Sequence, residues 1–96
     1  MDILVTYDIE TVTTEGEARL RRVAKVCERF GTRVQYSVFE CRVSAPAFER
    51  LVYALRRAIE PDCDSVHIYR FDGSVRPARM SLGRTVPHEV GDPWIV

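Results

Sequence analysis

The stretch RVQYSVFECRV, residues 33–43, decides the fold because its hydrophobic alternation changes phase in the middle. Its two halves place their apolar side chains on opposite faces, first Val34, Tyr36 and Val38, then Phe39, Cys41 and Val43. Since successive side chains of a strand alternate between faces, a slip of one residue inverts all that follow. We therefore expect a bulge or tight reversal near residues 37–39, although no Gly, Asn or Pro marks a hairpin turn there. The stretch is either one bulged strand or two strands.

The segments around this stretch predict further strands. Residues 3–7 form a short, mostly apolar run that ends at Asp8, and a run without alternation is typical of a central strand covered on both faces. Residues 64–71 alternate between apolar and polar side chains and predict another strand. Residues 79–82 are a candidate for one more short strand.

The first helix has the clearest boundaries in the chain. Residues 14–17, TEGE, match a capping box, in which the threonine hydroxyl and the second glutamate satisfy free amides of the first turn. Gly31 stands where a left-handed cap would end the helix. Between these ends, helical spacing predicts a buried stripe of Leu20, Val23, Ala24, Cys27 and Phe30.

A second helix begins near Pro46, which is tolerated in a first turn because the amide it lacks has no partner there. The order strand, helix, one or two strands, helix, strand predicts an α+β fold of the ferredoxin-like type, βαββαβ, with an antiparallel sheet and two helices on one face. We expect residues 1–83 to form this domain and residues 84–96 to form a tail that packs on the domain or on a dimer partner. The buried stripe of the second helix is expected at Phe48, Leu51, Val52, Leu55 and Ile59.

Composition limits the class of protein more than its function. A chain of 96 residues forms one domain with a modest core, so a dimer is expected. The formal net charge is zero, but of 14 basic residues only Lys25 is a lysine. Arginine suits phosphate oxygens, whereas codon bias in a GC-rich genome explains the excess equally well. Three cysteines and no long apolar segment predict a reducing cytoplasm and no membrane partner.

Three segments together resemble one family. Residues 4–9 read LVTYDI, residues 33–41 read RVQYSVFEC and residues 64–69 read DSVHIY, with the basic helix start RLRRVAK at residues 19–25. This combination is similar to the Cas-two family of CRISPR-associated proteins over roughly residues 1–70. The resemblance implies a ferredoxin-like homodimer that acts as a metal-dependent endonuclease on RNA or DNA, with Mg²⁺ or Mn²⁺ at the dimer interface. It also implies a role in spacer acquisition for antiviral defence, with the CRISPR integrase as a partner and a C-terminal tail that crosses the dimer.

The resemblance assigns a role to Asp8 as the catalytic, metal-binding aspartate. It assigns nucleic-acid binding to Arg22, Arg33, Ser37 and Phe39, and less strictly to Arg21. The residues themselves add Arg19, because Arg19, Arg21, Arg22 and Lys25 fill the first half of the helix and oppose its dipole unless a phosphate lies nearby. The alternative for these cations is a solvated helix face balanced by Glu15, Glu17 and Glu28.

One carboxylate is a poor magnesium site, since magnesium takes six oxygen ligands. Two-fold symmetry changes this count, because Asp8 of one copy and Asp8 of the other can share a metal with water and phosphate oxygens. The alternative is that Asp8 only caps the following loop through an Asx-turn.

Three hypotheses for the whole chain follow. The first is a metal-dependent nuclease that uses Asp8, and the second is a non-catalytic scaffold that holds duplex DNA and bridges integrase dimers. The third is a ferredoxin-like RNA-binding or small-ligand regulatory module unrelated to CRISPR systems. Tyr7, Tyr36 and Phe39 are candidates for stacking on bases, as aromatic side chains of RNA-binding sheets do. The alternative, which is more common for such residues, is that they are core or dimer contacts.

Overall fold

The computed structural model describes residues 1–83, and the predicted tail, residues 84–96, lies outside the described residues. In chain order the elements are β1 (Asp2–Asp8), α1 (Thr14–Phe30), β2 (Gly31–Gln35), β3 (Val38–Arg42), α2 (Ala45–Ala58), β4 (Ser65–Arg70) and a short 3-10 helix (Arg76–Ala78).

The four strands form one antiparallel sheet in the order β2-β3-β1-β4, and both helices pack on the same face. This arrangement confirms the predicted ferredoxin-like fold. Strand β1 is central, as expected, but within residues 1–83 its buried residues are, apart from Asp2, those on the helix side. Its odd-numbered side chains Ile3, Val5 and Tyr7 are buried against the helices, whereas Leu4 and Thr6 on the other face are only partly buried. The sheet therefore has one covered face and one open face.

The stretch 33–43 is two strands rather than one, with the reversal at Tyr36 and Ser37. The pairing of β2 with β3 shifts register between Arg33 and Gln35, which explains the change of hydrophobic phase. The backbone amide of Tyr7 donates to the Ser37 carbonyl at 3.0 Å, and the Tyr7 hydroxyl donates to the Tyr36 carbonyl at 3.1 Å. Among residues 1–83 only Gly73 and Gly83 have positive φ, so this turn needs none of the residues that usually mark a hairpin.

The predicted capping box of α1 is wrong by one residue. Thr13 is the N-cap, and its hydroxyl accepts from the Gly16 amide at 3.0 Å. Gly16 lies so close to the Glu10 carbonyl that a β-carbon would collide with it, and this contact fixes the start of the helix. The buried stripe is also rotated, because Leu20 is 36% exposed and Val26 takes its place beside Val23 and Cys27.

The predicted left-handed cap at Gly31 is wrong as well. Gly31 is extended, with φ of −163°, and it is the first residue of β2, so α1 passes into the sheet without a loop. A β-carbon at Gly31 would collide with the Glu40 carbonyl and the Cys41 thiol of β3. Glycine is needed there for close strand approach and not for a turn.

Helix α2 follows the prediction, with Pro46 in its first turn and Ser44 as the N-cap. Leu51 and Leu55 are buried in the core, where Cys27 and Cys41 also lie as free thiols. The predicted strand at residues 79–82 is absent from the described chain, which instead turns through Gly73 into the 3-10 helix.

Hydrogen bonds hold this last segment against the sheet. Asp2 accepts from Arg42 Nε at 2.8 Å and from the Val75 amide at 2.8 Å, and Arg79 pairs with Glu40. Arg42 and the Val75 amide hold the pKa of the Asp2 carboxyl well below its usual value. Among residues 1–83, no helix is long and apolar enough to cross a membrane.

Candidate metal and nucleic-acid site

Asp8 is the last residue of β1 and pairs with Ser65 of β4. Because Tyr7 points towards the helices, strand alternation places Asp8 on the open face of the sheet, where it is exposed. No hydrogen bond to its carboxylate is found among residues 1–83, so the described structure contains no Asx-turn at Asp8. The Asp8 carboxylate is therefore free to take a ligand.

The loop after Asp8 is held by a different carboxylate, that of Asp64. The Asp64 side chain is fully buried and accepts from the Glu10 amide at 3.0 Å and the Glu60 amide at 2.8 Å. Arg19 donates to it from Nε at 2.8 Å and from Nη2 at 3.4 Å. Burial raises the pKa of Asp64, but the bonds from Arg19 and the two amides outweigh it and hold the pKa below its usual value.

This pairing changes the role expected for Arg19. Its side chain is 14% exposed and its guanidinium already bonds to Asp64, so it belongs to the support of the loop and has little surface for a phosphate. No sequence pattern indicates this pair, because Arg19 on α1 and Asp64 in the loop before β4 are 45 positions apart.

The other basic residues predicted to bind nucleic acid remain accessible to different degrees. Arg21 and Arg22 are exposed on α1 and form no ion pair within residues 1–83. Arg33 on β2 is half-buried, with Nη2 3.4 Å from a Glu28 carboxylate oxygen and Cζ 5.0 Å from the centre of the Phe39 ring.

Phe39 itself is fully buried, and its ring stacks on that of Tyr7 with 6.2 Å between centroids. Phe39 therefore offers no surface to a base in this protomer. Its position is that of a core residue, which was the alternative interpretation. Ser37 lies in the turn between β2 and β3, and its carbonyl accepts from the amide of Tyr7, the residue before Asp8. Ser37 and Asp8 therefore lie at the same end of the sheet.

A basic groove between α1 and α2 was not predicted. Its volume is about 770 Å³, and four cations line it, namely Arg22, Lys25, Arg29 and Arg57. Glu28 is the one acidic residue in its lining, and Val26, Ala54 and Ala58 supply apolar surface. Tyr53 is 64% exposed there, with Arg57 Cζ 5.7 Å from its ring centre. Sequence patterns missed the groove because they do not show which faces of the two helices meet.

Residues 1–83 of one protomer do not supply a complete metal site. Among residues 1–83, no three His, Cys, Asp or Glu side chains lie close enough together to hold a metal ion. Asp8 provides an oxygen donor of the kind that magnesium prefers, but further ligands must come from outside the described residues.

Comparison with known proteins shows the family. Residues 1–76 match the family model described as CRISPR associated protein Cas2. The chain belongs to the Cas2 family. The crystal structure of Streptococcus pyogenes Cas2 superposes with a TM-score of 0.79 at 41% identity, covering 86% of this chain and all of that one.

Curated Cas2 relatives are similar in sequence as well. The CRISPR-associated endoribonuclease Cas2 1 of Moorella thermoacetica is 53% identical over 70 residues, which are 73% of each chain. The CRISPR-associated endonuclease Cas2 of Halalkalibacterium halodurans is 38% identical over 95 residues, which are 99% of each chain. Membership of the Cas2 family confirms the predicted resemblance and excludes the third hypothesis, a module unrelated to CRISPR systems.

Proposed function

We propose that this Cas2 protein is a magnesium-dependent endonuclease that works as a homodimer in spacer acquisition and cleaves phosphodiester bonds of RNA or DNA. The observation that carries the proposal is the position of Asp8, exposed at the end of the central strand on the face that the helices leave open. Similar Cas2 proteins are named endoribonuclease or endonuclease, which supports the reaction class.

The open face of the sheet is the surface proposed for dimerisation. Leu4 and Val38 are only partly buried on it, and Tyr69 is 53% exposed. A second copy packed face to face would cover these side chains. Because a two-fold contact uses the same patch on both copies, it would also bring the two Asp8 carboxylates to one interface.

The Asp8 pair fits a hard divalent cation, Mg²⁺ or Mn²⁺, because two carboxylates supply charge and oxygen ligands that one protomer lacks. When bound, such a cation polarises a phosphate and lowers the pKa of a bound water. Asp8 would hold the cation at the end of the sheet, and arginines on α1 and β2 would hold the nucleic-acid backbone without regard to sequence.

The dimer surface is tested by Tyr69→Glu with Tyr53→Glu as its control. Both tyrosines are more than half exposed, but Tyr69 lies on the open sheet face and Tyr53 in the helix groove. We expect Tyr69→Glu to raise the dimer dissociation constant at least about tenfold, because the interface would bury two unpaired carboxylates. Sedimentation equilibrium measures this constant. Dissociation by Tyr53→Glu alone would instead place the interface on the helices.

Arg22→Ala and Arg33→Ala are expected to weaken binding of duplex DNA and to lower its salt dependence by about one phosphate contact each. Arg50→Ala is the control, since Arg50 is also exposed but lies on α2 outside the basic groove. Fluorescence anisotropy over a range of salt concentrations gives the slopes. Equal slopes for all three variants would mean that only net charge matters.

The second candidate function is the non-catalytic scaffold that holds duplex DNA and bridges CRISPR integrase dimers. The basic groove favours it, because four cations with one acidic neighbour suit a phosphate backbone. The deciding experiment compares cleavage of matched RNA and duplex DNA in magnesium or EDTA. Magnesium-dependent products support the nuclease, whereas tight duplex binding without products supports the scaffold.

A further inference from the structure

The loop that follows Asp8 is fixed from two sides. Its Glu10 amide donates to Asp64 Oδ1 at 3.0 Å, and its Glu10 carbonyl packs against Gly16, where no side chain fits. Asp64 also directly precedes Ser65, the residue paired with Asp8 across the sheet. Asp64 therefore bonds to the loop after Asp8 through its buried carboxylate, and its backbone leads directly into β4, the strand paired with Asp8.

Both oxygens of Asp64 are fully used. Oδ1 accepts from the Glu10 amide and Arg19 Nη2, and Oδ2 accepts from the Glu60 amide and Arg19 Nε. An asparagine at this position would turn its NH₂ group towards one of these donor pairs, and a buried donor facing donors is destabilising. The arrangement thus requires an ionised carboxylate and the fork of an arginine.

We propose that Asp64, oriented by Arg19, is a positioning residue that fixes the Asp8 carboxylate for metal binding. The inference rests on the proposed function, in which Asp8 is the metal ligand. Asp64 touches neither metal nor substrate. It acts by holding the Asp8 backbone between the Glu10 amide and Ser65. The exposed Asp8 carboxylate then projects from a fixed backbone position on the open face. Partners that orient ligands typically change metal affinity 10- to 100-fold when they are replaced.

The same protein contains a matched control at the other end of β1. Asp2 is also buried, and it accepts from Arg42 Nε at 2.8 Å and from the Val75 amide at 2.8 Å. Asp8 lies six positions after Asp2 along the strand, a distance of about 20 Å. Asp2→Asn therefore removes a carboxylate–arginine pair of the same kind without touching the loop that follows Asp8.

The experiment measures Mn²⁺ binding to the full-length protein by electron paramagnetic resonance, without nucleic acid. We expect Asp64→Asn to weaken Mn²⁺ binding about tenfold, with Arg19→Lys giving a smaller change because lysine lacks the fork. Asp2→Asn should leave the affinity for Mn²⁺ unchanged, even if it lowers the melting temperature as much as Asp64→Asn does. Hydrogen exchange of the Glu10 amide should speed up in Asp64→Asn and not in Asp2→Asn.

Equal losses of affinity in Asp64→Asn and Asp2→Asn would overturn the inference, because general destabilisation would then account for both. Unchanged binding in Asp64→Asn, with binding lost in Asp8→Ala, would overturn the positioning role and leave the proposed function intact. Wild-type affinity in Asp8→Ala would instead overturn the metal site of the proposed function, and the positioning role would fail with it.

Discussion

We expect Asp8→Asn to abolish the proposed magnesium-dependent cleavage and to leave the fold intact. The expected loss of rate is on the order of 100-fold or more, since even residues that only orient metal ligands typically contribute 10- to 100-fold. Folding should be unaffected, because Asp8 is exposed and no hydrogen bond to its carboxylate is found among residues 1–83. The measurement is the initial rate of cleavage of RNA and of duplex DNA at several magnesium concentrations, together with the melting temperature.

Asp62→Asn is the matched control for this prediction, because Asp62 is also exposed and follows α2 without contact to the open face. It should cleave at the wild-type rate. If Asp8→Asn also cleaves at that rate, Asp8 is not the catalytic residue. If the dimer dissociates in Asp8→Asn, the role of Asp8 is structural, and the loss of cleavage would have to be assigned to the loss of the dimer.

Phe39→Ala is expected to have the largest effect on stability. The Phe39 ring is fully buried between the sheet and the helices and stacks on Tyr7. Its removal leaves a cavity and should lower the free energy of unfolding by about 3–5 kcal/mol. A small domain has a total of only about 5–15 kcal/mol, so much of the variant population should unfold at modest urea concentrations. Urea denaturation followed by circular dichroism gives the value.

Phe39→Leu separates packing from recognition, since leucine keeps much of the volume and loses the aromatic face. We expect it to fold and to bind duplex DNA as the wild type does. A folded Phe39→Leu protein with weakened binding would contradict the core assignment and show that the ring reaches nucleic acid. Tyr36→Ala, at a position 68% exposed in the neighbouring turn, should change stability little.

Much of the fold was predictable because each element carries its own pattern. The change of hydrophobic phase within residues 33–43 correctly predicted a chain reversal. The hydrophobic stripe of α2 correctly predicted that Leu51 and Leu55 lie in the core. The errors arose where tertiary contacts outweighed local preference. The position of Gly31 along the chain suits a helix cap. The structure shows a different reason for glycine there, since β3 lies too close to Gly31 to leave room for a β-carbon.

The candidate site was predictable in part for the same reason. Asp8 stood out because it ends an apolar run, and the described structure leaves it exposed. The bond between Arg19 and Asp64 was not predictable, since hydrophobic spacing does not state which charges meet across 45 residues. Tyr53 and Arg57 were missed because the groove they line forms only when α2 packs on α1.

The central position of β1 has a consequence for synthesis on the ribosome. Strand β1 pairs with residues 38–42 and 65–70, which are synthesised after it. The hydrogen bond from the Val75 amide to Asp2 forms only after Val75 has been added. The sheet therefore cannot close while the second half of the chain is still being translated, because contacts far apart in sequence form late. During synthesis one edge of β1 can pair with β3 once residues 38–42 have been made, whereas its other edge stays unpaired until residues 65–70 follow.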